Sequence, residues 1–234
     1  MSDRPICAIV GVGPGNGEAF AREMTARGYR VARPARRPHP NERPAGELAG
    51  GLAVACDVTD ESAIQGAFAT IRQQAGPVDA LLYNAGSGVF GHIEATSAAD
   101  MEAAWRINTL GLYHCAQQCL EHMKAQKKGA IVVTGATASL RGGAGFAAFA
   151  SAKAAQRSLA SSMARHLGPL GIHVAIVIVD GIIRTPQAAE RFSHLGTDQM
   201  LEPKDIARAV SFLVEQPPSA WTFELDLRPA REKW

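Results

Sequence analysis

The stretch "GVGPGNG", residues 11–17, joins the short apolar run "ICAIVGVG" to a segment whose apolar positions recur at helical spacing. Its glycines follow G-x-x-x-G-x-G at Gly11, Gly15 and Gly17, not the stricter G-x-G-x-x-G. Small residues there let the backbone turn sharply and approach a pyrophosphate seated at a helix N-terminus. Gly11, Gly15, Asn16 and Gly17 are therefore candidate phosphate contacts. The second apolar run ends in "RPARRPHP", with Arg36 and Arg37 and no acid. An acid at that place would favour a free ribose 2′-hydroxyl, and arginine favours a 2′-phosphate, so the expected cofactor is NADP(H), with NAD as the alternative. In "FAAFASAKAA", residues 146–155, Lys153 stands one helical turn after Phe149. A lysine in such a helix can touch a cofactor, but a benzene ring can neither give up nor accept a proton.

The elements that must position these residues alternate along the chain. Strands are expected at "ICAIVGVG", "YRVARPA", "LAVACDV", "PVDALLYNAG", "GAIVVTGA", "IHVAIVIVDG" and "TFELDLRP". Between them lie helical patterns in "GEAFAREMTARG", in "ESAIQGAFATIRQQ" capped by Thr59 or Asp60, over 99–124, over 147–168 and in "EPKDIARAVSFLVEQ". Residues 34–50, with several prolines and charges, read as a loop or short irregular helix. Most strands are continuous apolar runs, as strands covered on both faces must be. The expected fold is α/β: a Rossmann-type, doubly wound parallel sheet of about seven strands with helices on both faces, forming one domain over 1–234.

Bulk properties narrow the function classes. The 234 residues are 47% hydrophobic and 20% charged, with 24 basic and 22 acidic residues. This near balance gives no footprint for nucleic acid. Cys7, Cys56, Cys115 and Cys119 follow no disulfide or zinc spacing, and no metal site is expected. No run reaches membrane-spanning length and the N-terminus has no signal-peptide core, so a cytoplasmic protein is expected.

In this order and on these elements, the residues resemble the short-chain dehydrogenase/reductase family over nearly the whole chain. Gly11, Gly15 and Gly17 match its glycine turn. Asp57 and Val58 match the pair that meets adenine, and Asn84, Ala85 and Gly86 match its N-A-G turn. Asn108 in "INTLG" matches its helix asparagine, and Lys153 its lysine. Gly181 and Thr185 in "DGIIRT" match the segment near nicotinamide, with Asp180 where proline is usual. The resemblance implies a tetrad of Asn, Ser, Tyr and Lys. The tyrosine is the general acid or base, and the serine hydrogen-bonds the substrate oxygen. The lysine holds the nicotinamide ribose and lowers the tyrosine pKa, and the asparagine anchors a water that continues a proton relay. Counting along this sequence, the tyrosine position is Phe149 and the serine position is Ala136, so Asn108 and Lys153 remain as the catalytic candidates.

Three functions stay open at this point. One is a redox enzyme with a relocated acid, drawn from Thr134, Thr137, Ser139, Ser151 or Tyr83. Another is a non-enzymatic NADP(H)-binding sensor or interaction protein, and the third is a fold retained for oligomer assembly. Phe90, His92 and Phe149 suggest an apolar pocket floor, and His194 sits in a short lid. The family resemblance implies a homodimer or homotetramer through the helices at 99–124 and 147–168. Trp221 and Trp234 are candidates for a subunit contact, with a core role for Trp221 as the alternative.

Overall fold

The computed structural model describes residues 4–36, 51–86 and 88–232. In chain order the elements are β1 (Ile6–Val10), α1 (Asn16–Ala26), β2 (Arg30–Ala35), β3 (Leu52–Ala55), α2 (Glu61–Gln74), β4 (Val78–Tyr83), α3 (Ala98–Trp105), a π-helical turn (Arg106–Leu110) and α4 (Gly111–Gln126). They continue with β5 (Gly129–Ala136), α5 (Ala147–Leu167), β6 (Ile172–Val179), β7 (Ile182–Ile183), α6 (Pro186–Arg191), β8 (Met200–Leu201), α7 (Pro203–Glu215) and β9 (Glu224–Leu227). The principal sheet has the order β3-β2-β1-β4-β5-β6-β9, and every pairing in it is parallel.

Successive side chains of a strand point to opposite faces, and both faces here are covered. On β1, Cys7 and Ile9 join Phe20 and Met24 of α1 and Ile206, Val210 and Leu213 of α7 in one core. Ile6, Ala8 and Val10 face the other way. They meet Ile64, Phe68 and Ile71 of α2, Leu112, Cys115 and Met123 of α4, and Ala160 of α5. All eight residues of β6 are buried. This two-sided cover is why the strands are apolar throughout and do not alternate. Burying side chains such as Phe68 and Ile71 contributes about 1.5–3 kcal/mol each relative to exposure. The Asp60 carboxylate accepts from the amides of Ser62 and Ala63 and fixes the start of α2.

Three local differences from the sequence reading matter for the site. β3 ends at Ala55, so Asp57 and Val58 stand in the loop beyond the strand. The helical region at 99–124 is broken by the π-helical turn, which holds Asn108. The segment after β6 is not a plain loop: β7 and β8 pair in parallel and α6 lies between them. The stretch 37–50, including Arg37, lies outside the described residues.

The sheet order sets the place of the site. From β1 the chain winds outward to β2 and β3, and from β4 it winds the other way to β5, β6 and β9. Between the carboxyl ends of β1 and β4 the winding reverses, and such a crevice is where α/β sheets of this type take ligands.

Candidate nucleotide-binding and active site

The glycine turn crosses that crevice. Gly11 has φ +88°, and a Cβ on it would come within 2.6 Å of Ala85 Cα. Only glycine lets the turn after β1 lie directly against the turn after β4. Asn84 fastens the two, its Nδ2 donating to Gly11 O at 2.8 Å and its amide to Val10 O at 2.9 Å. Gly17 is equally constrained, since a Cβ there would sit 2.6 Å from Val12 Cα. Gly15, at φ +121°, is the N-cap of α1, and no side chain caps that helix. The amide of Glu18 donates to Gly13 O at 3.3 Å, and no side chain caps the first turn of α1, an arrangement suited to phosphate. Asn16 Oδ1 is buried there with no hydrogen-bond partner among the described residues. Thr185, the N-cap of α6, closes over this end: its Cγ2 would lie 2.9 Å from a Cβ on Gly15.

The remaining nucleotide candidates sit around the same crevice. Arg36 is exposed just beyond β2. Asp57 uses Oδ1 to accept from the amide and hydroxyl of Thr59, at 2.9 and 2.7 Å. The side chain of Val58 is buried in the core with α4, so only Asp57 Oδ2 and the backbone of this pair remain to meet a base. Gly181 has φ +144° and packs against Pro229 and Leu201, which holds the β6–β7 turn in place.

Lys153 and Asn108 are brought together from different elements. A Cβ on Gly86 would lie 3.3 Å from Asn108 Oδ1 and 3.8 Å from Lys153 Nζ, so both polar atoms converge beside the turn after β4. Asn108 is fully buried. Its Nδ2 donates to Ala104 O at 2.9 Å, and its Oδ1 has no partner among the described residues. Lys153 is 5% exposed, and its ammonium donates to Thr134 O at 2.8 Å and to Gln156 Oε1 at 3.0 Å. Burial pushes its pKa down to about 8.

That shift carries a stability consequence. The folded pKa of about 8 lies below the ordinary lysine value of 10.5, so between these two pH values the unfolded chain binds more protons than the folded one. The cost of burying the charge is fully present below pH 8 and is relieved as the pH rises toward 10.5. Denaturant titrations at neutral and high pH should therefore show the native chain gaining stability, relative to Lys153→Met, as the pH is raised through this window. A constant difference between the two would contradict the buried charge.

The family model described as short chain dehydrogenase matches residues 5–196. The chain belongs to the short-chain dehydrogenase family. A 3-oxoacyl-[acyl-carrier-protein] reductase of Bos taurus is 30% identical over 218 residues, covering 91% of this chain and 92% of the relative. The crystal structure of a short-chain dehydrogenase from Rhodopseudomonas palustris superposes with a TM-score of 0.81 at 32% identity, covering 96% and 98% of the two chains. The structure of ElxO with NADP bound shares the fold, with a TM-score of 0.86 at 24% identity over 95% and 96%.

Within this short-chain dehydrogenase, Ala136 ends β5 and Phe149 lies in the first turn of α5. Phe149 does not line a closed pocket floor. Its ring meets Phe90 edge to face at 5.4 Å, and Phe90 meets Phe146 at 5.3 Å. Phe90 is 61% and Phe146 41% exposed, so the three rings form an open apolar rim, with His92 exposed beside it. Backbone bonds from Gly91 N to Gly145 O and from Ala147 N to Gly91 O hold this rim to the start of α5.

Tyr83 is ruled out as a relocated acid. It is fully buried, its hydroxyl donates to Ile107 O, and burial raises its pKa well above the ordinary phenol value. Ser151 is exposed, and its hydroxyl donates to Ala148 O. Thr134 offers Lys153 its backbone carbonyl. Ser139 is buried, and its hydroxyl accepts from the amide of Ala136 at 3.1 Å. Thr137 donates to the Asp180 carboxylate, which also lies 3.8 Å from Arg228.

Trp221 and His194 both lie among the described residues. Trp221 stacks on His173 with centroids 4.9 Å apart, and its indole donates to Gln216 O. His194 is exposed, with its ring edge toward Phe192. Trp234 lies outside the described residues. All four cysteines are buried and free, and among the described residues no cluster of metal-ligating side chains occurs. No described helix is long and apolar enough to cross a membrane.

Proposed function

We propose that this short-chain dehydrogenase binds NADP(H) in the β1/β4 crevice and no longer performs the phenol-based interconversion of carbonyls and alcohols. One observation carries the reading. The ammonium of Lys153 and the carboxamide of Asn108 converge beside Gly86, while the residue one turn before the lysine is a phenylalanine. The uncapped N-terminus of α1, with Gly11, Gly15, Asn16 and Gly17, would hold the pyrophosphate. Arg36 and Arg37 would meet the 2′-phosphate, and Asp57 and Val58 the adenine. The turn of Asn84, Ala85 and Gly86, the side chain of Lys153, and Gly181 with Thr185 would hold the nicotinamide half. The NADP named in the ElxO structure supports this choice of nucleotide. When bound, NADPH supplies a hydride. What this chain would add is grip and orientation: Lys153 would donate to a ribose hydroxyl, and the aromatic rim at Phe90, Phe146 and Phe149 would exclude water from one side.

General acid–base catalysis by a placed group is worth roughly 10²–10⁴-fold. Neither Phe149 nor Ala136 can supply it, nor a hydrogen bond to charge developing on oxygen. Reduction of a 3-oxoacyl-[acyl-carrier-protein], the reaction named for the bovine relative, is therefore expected to be feeble here. A specific contact favours a second reading, altered redox chemistry. Thr137 follows Ala136 directly and is hydrogen-bonded to Asp180, so a hydroxyl–carboxylate pair stands at the carboxyl ends of β5 and β6.

Fluorescence titration with NADPH and NADH, followed by a turnover screen of carbonyls, alcohols and enones, separates these readings. The expected result is NADPH bound more tightly than NADH, with carbonyls turned over slowly or not at all. Tight binding with no turnover of any class assigns a sensor or interaction role. Turnover of enones that Thr137→Val abolishes assigns the second reading. Absence of binding to either nucleotide would overturn both.

A further inference from the structure

Gln156 lies three residues after Lys153 on α5 and is fully buried, with 0% exposure. Its carboxamide is used at both ends. Oε1 accepts from Lys153 Nζ at 3.0 Å, and Nε2 donates to the backbone carbonyl of Asn108 at 2.7 Å. A second cross-link fixes the same register, since Thr109 Oγ1 donates to Ala152 O at 3.0 Å. The π-helical turn and α5 are thus joined at Asn108 and Thr109, through Gln156 and Ala152 on either side of Lys153.

An ammonium has three N–H donors. Thr134 O and Gln156 Oε1 occupy two of them, leaving one for a ligand. The second effect concerns protons. A water at the Asn108 carbonyl could accept a proton from one neighbour and release another, whereas a carboxamide does not exchange its protons in this way at ordinary pH. Where Gln156 binds both Lys153 and the Asn108 carbonyl, a chain of proton transfer ends.

We propose that Gln156 is a positioning residue that clamps Lys153 to the π-helical turn and occupies the place where a water would connect Lys153 to the Asn108 carbonyl. Lys153 is thereby a fixed cation for ligand binding and not a link in a proton relay. This rests on the proposed nucleotide site and accounts for a further feature of it: a helix with Phe149 has no phenol whose proton must be replaced. The groups packed around the ammonium are Thr134 from β5, Gln156 from its own helix, Asn108 from the π-helical turn and Gly86 from the turn after β4. All are uncharged, and burial is the cause of its lowered pKa.

The test is a pH titration of Lys153 by NMR in protein carrying 13C-labelled lysine, with the resonance assigned by Lys153→Arg. It is run without nucleotide, so a chain that binds no NADPH still reports on the clamp. Gln156→Leu removes an acceptor of the charged form and should lower the midpoint by about half a pH unit or more. Gln156→Glu places a carboxylate on the ammonium and should raise it by about one unit or more. Gln156→Asn is too short to reach both partners and should behave like the leucine variant. Midpoints equal to the native one in the variants that fold would show that Gln156 merely packs, and would overturn the proposal. Should Gln156→Leu not fold, the midpoint of the asparagine variant decides in its place.

Discussion

Phe149→Tyr combined with Ala136→Ser is expected to raise NADPH-dependent reduction of a small ketone by roughly a hundredfold or more. The tyrosine would place a phenol one turn before the buried ammonium of Lys153, where the positive charge lowers its pKa. The serine would return a donor to the end of β5, where such a group is worth about 3 kcal/mol toward a developing oxyanion. The two should act as a unit, so each single variant should recover far less than the pair. The Phe149 ring is half-buried and meets the exposed ring of Phe90 edge to face. Steady-state kinetics on a small ketone, with NADPH binding measured in parallel, gives the readout. Unchanged turnover with intact binding would show that Ala136 and Phe149 do not face the reacting carbonyl.

The second large effect is on nucleotide affinity. Lys153→Met should weaken NADPH binding by roughly ten- to a hundredfold, the range for loss of hydrogen bonds to a charged group. The substitution keeps an unbranched side chain in the buried space, so the fold should survive. The carbonyl of Thr134 and Oε1 of Gln156 would be left without their donor. Fluorescence titration measures the effect, and circular dichroism checks the fold. Native-like affinity in a folded Lys153→Met variant would remove the lysine from the binding site and with it the main support for the proposed function.

The fold was legible because its physics is local. β6 is buried along its whole length and so reads as an unbroken apolar run, and α7 repeats its buried positions Ile206, Val210 and Leu213 at helical spacing. The glycine turn was legible for a related reason. Few backbones other than glycine can take φ +88° against Ala85, so its type and spacing announce the close approach. The short pair β7 and β8 with α6 between them was not legible, since two-residue strands leave no periodic trace. The polar candidates near Lys153 could be named from the sequence but not ranked. Tyr83 looked available at the end of β4, and only packing shows that its hydroxyl is enclosed and bonded to Ile107 O.

By itself, then, the sequence determined the parallel sheet, the glycine crevice and the identities of Ala136, Phe149, Asn108 and Lys153. Each of these depends on residue type and near neighbours. Tertiary structure alone decided which polar atoms meet. Gln156 carries no signal beyond a polar residue in a helix, yet its amide spans 48 positions of sequence to reach the carbonyl of Asn108. That contact exists because the π-helical turn and α5 pack side by side, and no local pattern of residues encodes the distance between two helices.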